Sequence, residues 1–144
     1  MQLAPRNLIA VIALAVSCTS ANAHHGLAAD VDLGNYVELS GTIELVEWIN
    51  PHVVVHLSTE DENGFNQTWL IQADSPNTLL RAGVNRASFA TMNRVQMRVY
   101  PSVSTPCSNA CYAYGYEFSA VNGNTYILHQ RMYELVHELT LEPD

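Results

Sequence analysis

The sequence predicts an all-β fold, a small OB-like barrel or partly open sandwich with one short helix between strands 3 and 4. Three observations predict it. Apolar and polar residues alternate with period two around residues 36–47, 52–59 and 94–100. A single compact helix signal, Ser75-Pro76 to Gly83, interrupts them after the third strand. Three strands, a short helix and two or three further strands is the element order of a small closed barrel. With 144 residues and no internal repeat or linker, the chain supports one domain with one modest core.

The first 23 residues read as a signal peptide preceding that domain, which then occupies residues 24–144. Arg6 supplies a positive start, Leu8 to Val16 the apolar stretch, and Ala21-Asn22-Ala23 a small-residue cleavage site. The apolar run is shorter than the about 20 residues of a spanning helix. Periplasmic or secreted location follows as an expectation, with His24 as the new N-terminus. Lipoprotein processing at Cys18 is the competing route, but Ala15 suits the start of that pattern poorly.

From His24 to Gly34 periodicity is weak and an extended arm is expected. In the first strand Val37, Leu39, Gly41, Ile43 and Leu45 fall on one face, with a bulge or bend expected at Gly41. The second strand runs from about His52 to Thr59 and turns through Glu60-Asp61-Glu62-Asn63-Gly64, where Asn63-Gly64 suits positive φ. The third covers about Asn66 to Ala73, centred on Trp69. Ser75 is then a natural N-cap, Pro76 a first helical residue and Gly83 a C-terminal stop. The helix is two turns long, so packing of Leu79 and Leu80 must hold it.

A fourth strand, Arg94 to Tyr100, carries Val95, Met97 and Val99 on one face. Pro101 to Ala113 reads as a loop. The fifth strand, about Tyr114 to Val121, turns at Asn122-Gly123-Asn124 into a sixth, Thr125 to Leu128. The tail admits helix or strand over residues 129–142. The stripe Leu128, Met132, Leu135, Val136 and Leu139 favours an amphipathic helix packed on the barrel.

The most specific stretch is Trp48-Ile49-Asn50-Pro51-His52-Val53-Val54-Val55-His56. Pro51 restricts both its own φ and the backbone of Asn50, which makes a rigid corner. Beyond it, His52, Val54 and His56 share one face of the strand while Val53, Val55 and Leu57 take the core face. His52 and His56 would stand about 13 Å apart at roughly 3.3 Å per residue, too far to share one metal.

Composition excludes some partners. Six arginines and no lysine stand against 14 acidic residues, giving a net charge of −8. A nucleic-acid backbone or an anionic lipid surface needs a basic footprint that is missing here, so no nucleic-acid partner is expected. The cysteines remaining after cleavage, Cys107 and Cys111, are expected to form a disulfide in an oxidising compartment. No histidine follows Cys111, which excludes a haem attachment motif. His137-Glu138 begins a zinc-protease motif, but Leu141 occupies the place of its second histidine.

Several motifs together identify a resemblance. His24-His25-Gly26, Gly41-Thr42-Ile43, Trp48-Ile49-Asn50-Pro51-His52, Trp69, Ser75-Pro76-Asn77, Leu80-Arg81-Ala82-Gly83 and Tyr100-Pro101 occur in this order. Over roughly residues 24–128 the chain resembles a family of small exported bacterial proteins catalogued as domain of unknown function 6152. Met92-Asn93 replaces the Gly-Asp often found before the fourth strand, and Val84 replaces an aromatic residue. The cysteine loop and the tail look like local additions. The resemblance implies export and a β-rich fold, and implies no activity.

One constellation carries chemistry. Cleavage before His24 places a free amine and an imidazole on one residue, a bidentate nitrogen chelate suited to Cu(II). His25 and His52 are the candidate further ligands, so the metal set is His24, His25 and His52. The structural alternative makes the leading histidines a polar start and gives His52 a backbone partner. No Gly-x-Ser-x-Gly turn is present, and no catalytic residue is assigned. Asp61 with Glu60 and Glu62 could take calcium, but a solvated hairpin tip explains them more simply. Trp48 and Trp69, and the alternating Tyr112, Tyr114 and Tyr116, are candidate ligand surfaces weighed against packing. The expected function is an exported copper-binding barrel without turnover. The alternative is a metal-free ligand-binding or assembly module using the barrel groove or the tyrosine face.

Overall fold

The computed structural model describes residues 25–90, 94–120 and 123–141, with the backbone alone for residues 25, 26, 28 and 139–141. The elements are α1 (His25–Asp30), β1 (Val37–Glu47), β2 (Val54–Glu60), β3 (Asn66–Gln72), α2 (Pro76–Arg81), a 3₁₀ turn (Arg86–Phe89), β4 (Arg94–Pro101), β5 (Ala110–Ser119), β6 (Thr125–Ile127) and α3 (Gln130–Leu141). Antiparallel ladders join β3 to β2, β2 to β1, β1 to β4 and β4 to β5. A parallel ladder from Thr68–Ala110 to Gln72–Tyr114 joins β3 to β5 and closes five strands into a barrel. β3 occupies residues 110–114 of that edge of β5, and β6 occupies residues 117–119. The expected small barrel is therefore the observed one, and it is closed.

Alternation along the strands fills the interior. Ile43, Val55, Leu57, Ile71, Val99 and Phe118 are completely buried there. One end is plugged from the connection between β3 and β4. Leu79 and Val84 are buried, and Phe89 stacks on Phe118 with ring centroids 4.7 Å apart while Trp48 packs against it at 6.0 Å. Ser75 caps α2 by accepting from the Thr78 backbone N–H, and Gly83 takes φ +81° just beyond its end, as the Ser-Pro…Gly pattern predicts. Gly64 likewise takes φ +80° in the β2–β3 turn.

A second cluster lies outside the barrel. Val31, Tyr100, Tyr116 and Met132 are buried together, with Leu27 of α1 and Tyr133 and Val136 of α3 packed against them. The tail is thus a helix whose apolar stripe covers β4 and β5. Leu128 is not part of that stripe; it is completely buried in the barrel core.

Several expectations require correction. The N-terminal arm contains the short helix α1, followed by a bridge from Val31 to Ser102. The irregularity in β1 falls between Ile43 and Leu45, not at Gly41, so Leu45 turns outward at 48% exposure and Val46 turns in. Gly41 answers a different need: a β-carbon there would overlap the Ser58 carbonyl oxygen and crowd Leu57 and Thr59. β2 begins at Val54, so His52 precedes the ladder. Only Leu79 anchors α2, since Leu80 is 53% exposed. β5 begins at Ala110, which places Cys111 in the strand and shortens the expected loop. The 3₁₀ turn was not anticipated, although Asn85 and Ser88 cap it reciprocally.

Candidate functional site

His52, Asp74 and His129 flank one backbone junction at the end of the barrel. The Val53 N–H donates to the Asp74 carbonyl at 3.1 Å, and the Ala73 N–H donates to the Val53 carbonyl at 2.8 Å. The Asp74 N–H donates in turn to the Leu128 carbonyl at 2.8 Å. Val53, two residues after Pro51 in the Asn50–Pro51 corner whose peptide is cis, is thereby tied to the residues just after β3, and Asp74 in turn to Leu128 ahead of α3. Asp74 is part of this set of bonds, and His52 and His129 are each next in sequence to a residue that is.

Their environments differ. His52 is exposed and makes no hydrogen bond among the described residues. His129 is buried at 8% exposure, and with Ser102 it is one of two buried polar side chains among the described residues. Its Nδ1 lies 3.6 Å from Asp74 Oδ1, beyond hydrogen-bond range, and has no other partner. Asp74 Oδ2 accepts the Gln130 N–H at 2.8 Å, which caps α3 with a negative charge. Burial lowers the His129 pKa; the Asp74 carboxylate opposes that shift, and nearby His52 adds to it. His129 therefore stays neutral at pH 7, with a ring nitrogen lone pair. A buried nitrogen without a partner carries a desolvation cost, which marks this corner.

The other predicted residues are distributed elsewhere. His24 lies outside the described residues, and His25 opens α1, where its backbone alone is described. His56 does point outward from β2, but its Nε2 is 2.6 Å from Glu47 Oε1 on the neighbouring strand. Asp61 Oδ1 accepts the backbone N–H groups of Asn63 and Phe65, which identifies the acidic tip as a structured hairpin turn. Trp48 and Trp69 pack half-buried against the core. Among the described residues no three His, Cys, Asp or Glu side chains form a ready-made metal cage.

The tyrosine face is largely occupied. Tyr116 stacks on Tyr133 of α3 at 5.7 Å, and the Tyr114 hydroxyl donates to Asp30. A register shift between Arg98 and Val99, opposite Tyr116, also breaks the expected alternation. Cys107 and Cys111 form the anticipated disulfide. A groove of about 380 Å³ remains on the outer face of β1, β4 and β5, lined by Glu38, Ser40, Gln96, Arg98, Glu117 and Ser119. Arg98 pairs there with Glu38 at 2.9 Å and Glu117 at 3.2 Å.

His129 and Asp74 were missed as site residues. His129 reads in sequence as the polar lead-in to an amphipathic helix, and Asp74 as a residue beside a helix cap. Only the junction brings them to His52. No helix among the described residues is long and apolar enough to cross a membrane. No curated protein and no solved structure matches the chain. Residues 11–109 match one family, a span that covers the Asn-Pro-His corner and ends inside the cysteine loop; the chain belongs to the Family of unknown function (DUF6152).

Proposed function

We propose that the protein is exported and binds a transition metal, Cu(II) foremost, through the amine and imidazole of His24 freed by cleavage after Ala23. His25 and His52 supply further nitrogen donors. The observation that carries this reading is the state of His52: it is exposed, unpaired among the described residues, and next to Val53, whose backbone is bonded to Ala73 and Asp74. His56, by contrast, is engaged by Glu47. An N-terminal amine and imidazole with one or two more imidazoles is a nitrogen set that Cu(II) favours. The protein's part is to fix the backbone beside His52 and to present its ring to solvent.

Titration of protein beginning at His24 with Cu(II) tests the reading. One extra residue before His24 should weaken binding nearly as much as His52→Ala, while His137→Ala should change little. Affinity should fall as pH drops through about 6.5, because the ligands must be deprotonated. Equal affinity of the extended protein would show that the terminal chelate is not used.

The groove around Arg98 supports a second reading, a metal-free module for a small polar ligand. In that case the protein beginning at His24 takes up no copper, and ligand-induced shifts fall on Gln96, Arg98 and Glu117.

A further inference from the structure

We propose that the groove on the outer face of β1, β4 and β5 binds a neutral saccharide through its hydroxyl groups. The proposal rests on the reading of this groove as a ligand site and names the ligand class.

Strand register sets the lining side chains in two cross-strand rows. Glu38 stands opposite Arg98, and Arg98 opposite Glu117. In the next row Ser40 stands opposite Gln96, and Gln96 opposite Ser119. Rows two residues apart are separated by about 7 Å and neighbouring strands by about 4.8 Å. These six side chains line the groove of about 380 Å³, within the roughly 300–1,000 Å³ of small-molecule sites. A second groove of about 360 Å³ continues from Ser40, Gln96 and Ser119 to Arg94.

The first row is fixed in advance. Arg98 donates to Glu38 at 2.9 Å and pairs with Glu117 at 3.2 Å, and its guanidinium lies 4.9 Å from the centre of the Tyr36 ring. A guanidinium has five N–H donors and each carboxylate two acceptor oxygens, so these contacts leave donors and acceptors side by side. The second row is open. The Ser40 hydroxyl and the Gln96 amide have no partner among the described residues, and Ser119 Oγ meets Thr125 Oγ1 at 3.1 Å.

Charge decides what fits. Arg94 and Arg98 balance Glu38 and Glu117, so a charged ligand gains from one pair and loses to the other. An apolar ligand strips water from these groups and returns no hydrogen bonds. A hydroxyl both donates and accepts, so adjacent hydroxyls take a guanidinium N–H and give to a carboxylate. The Gln96 amide offers the same two roles in the second row. A saccharide ring carries several hydroxyls at fixed spacing, which limits the freedom lost on binding. Its carbon-bound hydrogens find apolar surface on Tyr36, which is 53% exposed beside Arg98.

Nuclear magnetic resonance titration of labelled protein beginning at His24 tests the proposal. The neutral probes are the methyl glycosides of glucose, galactose and mannose, with maltose and cellobiose. Glucuronate, glucosamine and the non-sugar amide N-acetylglycinamide are the counterparts. At least one neutral saccharide should give saturable shifts centred on Ser40, Gln96, Arg98, Glu117 and Ser119, and should bind more tightly than any counterpart. Ser40→Ala and Gln96→Ala, at exposed positions, should each weaken it about 3- to 10-fold. Groove shifts produced only by the counterparts overturn the saccharide assignment and leave the groove reading standing. Saccharide shifts centred elsewhere, or unchanged affinity in both folded variants, overturn it too. If no probe moves any groove residue, the groove reading falls with the proposal.

Discussion

The Tyr114 hydroxyl on β5 donates a 2.8 Å hydrogen bond to Asp30 Oδ2 at the end of α1. The same carboxylate accepts from Ser102 Oγ and from the Ser104 N–H, so one side chain ties α1 to both flanks of the cysteine loop. Burial works to raise the Asp30 pKa, but the hydrogen bonds from Ser104, Tyr114 and Ser102 outweigh it and hold it at about 2. Burial, then the bond to Asp30, pushes Tyr114 up to about 12.

A stability dependence on pH follows. The folded pKa of Asp30 lies below its ordinary value of 3.8, so its contribution is complete above about pH 4 and disappears as pH falls through about 2. Asp30→Asn should lose on the order of 1–2 kcal/mol at neutral pH after allowance for solvent screening. Tyr114→Phe should lose about 1 kcal/mol. Urea unfolding at pH 7, 4 and 2.5 checks this. If the Asp30→Asn protein loses stability across that range as steeply as the parent does, the assignment is refuted.

The Cys107–Cys111 disulfide closes a very short loop, so its effect on the unfolded chain is small, at most about 2 kcal/mol. Protein recovered from an oxidising compartment should show neither thiol alkylated in intact mass spectra. The paired Cys107→Ser and Cys111→Ser variant should keep its far-ultraviolet circular dichroism and gain amide exchange only across the loop before β5. Loss of the β spectrum on reduction would mean that the bond supports the barrel itself.

At Gly41, β1 lies too close to β2 to leave room for a side chain. An added methyl group would overlap the Ser58 carbonyl oxygen, and it would stand 2.9 Å from Thr59 Cγ2 and 3.0 Å from Leu57 Cγ. A backbone oxygen within a ladder cannot step aside. Gly41→Ala should therefore cost about 1–3 kcal/mol, read as a lower midpoint of thermal unfolding. A neutral effect would show that the ladder relaxes there.

His56 provides the contrast to His52. Its contact with Glu47 is short but partly exposed, so His56→Ala should change stability by no more than about 1 kcal/mol and leave copper affinity unaltered. A tenfold loss of affinity would place the metal on the outer face of β2 instead.

Much of the fold was legible because local chemistry and tertiary packing agree. Asn63-Gly64 marks its turn, Ser75-Pro76 and Gly83 bound α2, and Val95, Met97 and Val99 alternate into the core as expected. The bulge in β1 was not legible, since Ile43, Leu45 and Val46 are all apolar and alternation alone cannot say which turns inward. α1 is too short for a periodic signal and depends on Leu27 and Asp30 reaching distant partners. The start of β5 was hidden because Ser108 and Asn109, just ahead of it, have turn-like composition. At the site, the exposure of His52 was legible from its alternation with Val53 and Val55, which are buried. His129 could not, because its relation to His52 exists only through Asp74.

The parallel ladder between β3 and β5 has a kinetic meaning. The β1–β2 and β2–β3 pairs can zip from nearby turns, but the seam joins Thr68 to Ala110 across α2, the 3₁₀ turn and β4. Loop-closure entropy must be met before that contact gives any return, which makes seam formation a late step and the slow one. Unfolding should begin along the same line, with β3 and β5 parting before the hairpins melt. Trp69 stands directly opposite Cys111 on this seam, so its fluorescence reports the moment at which the cylinder shuts.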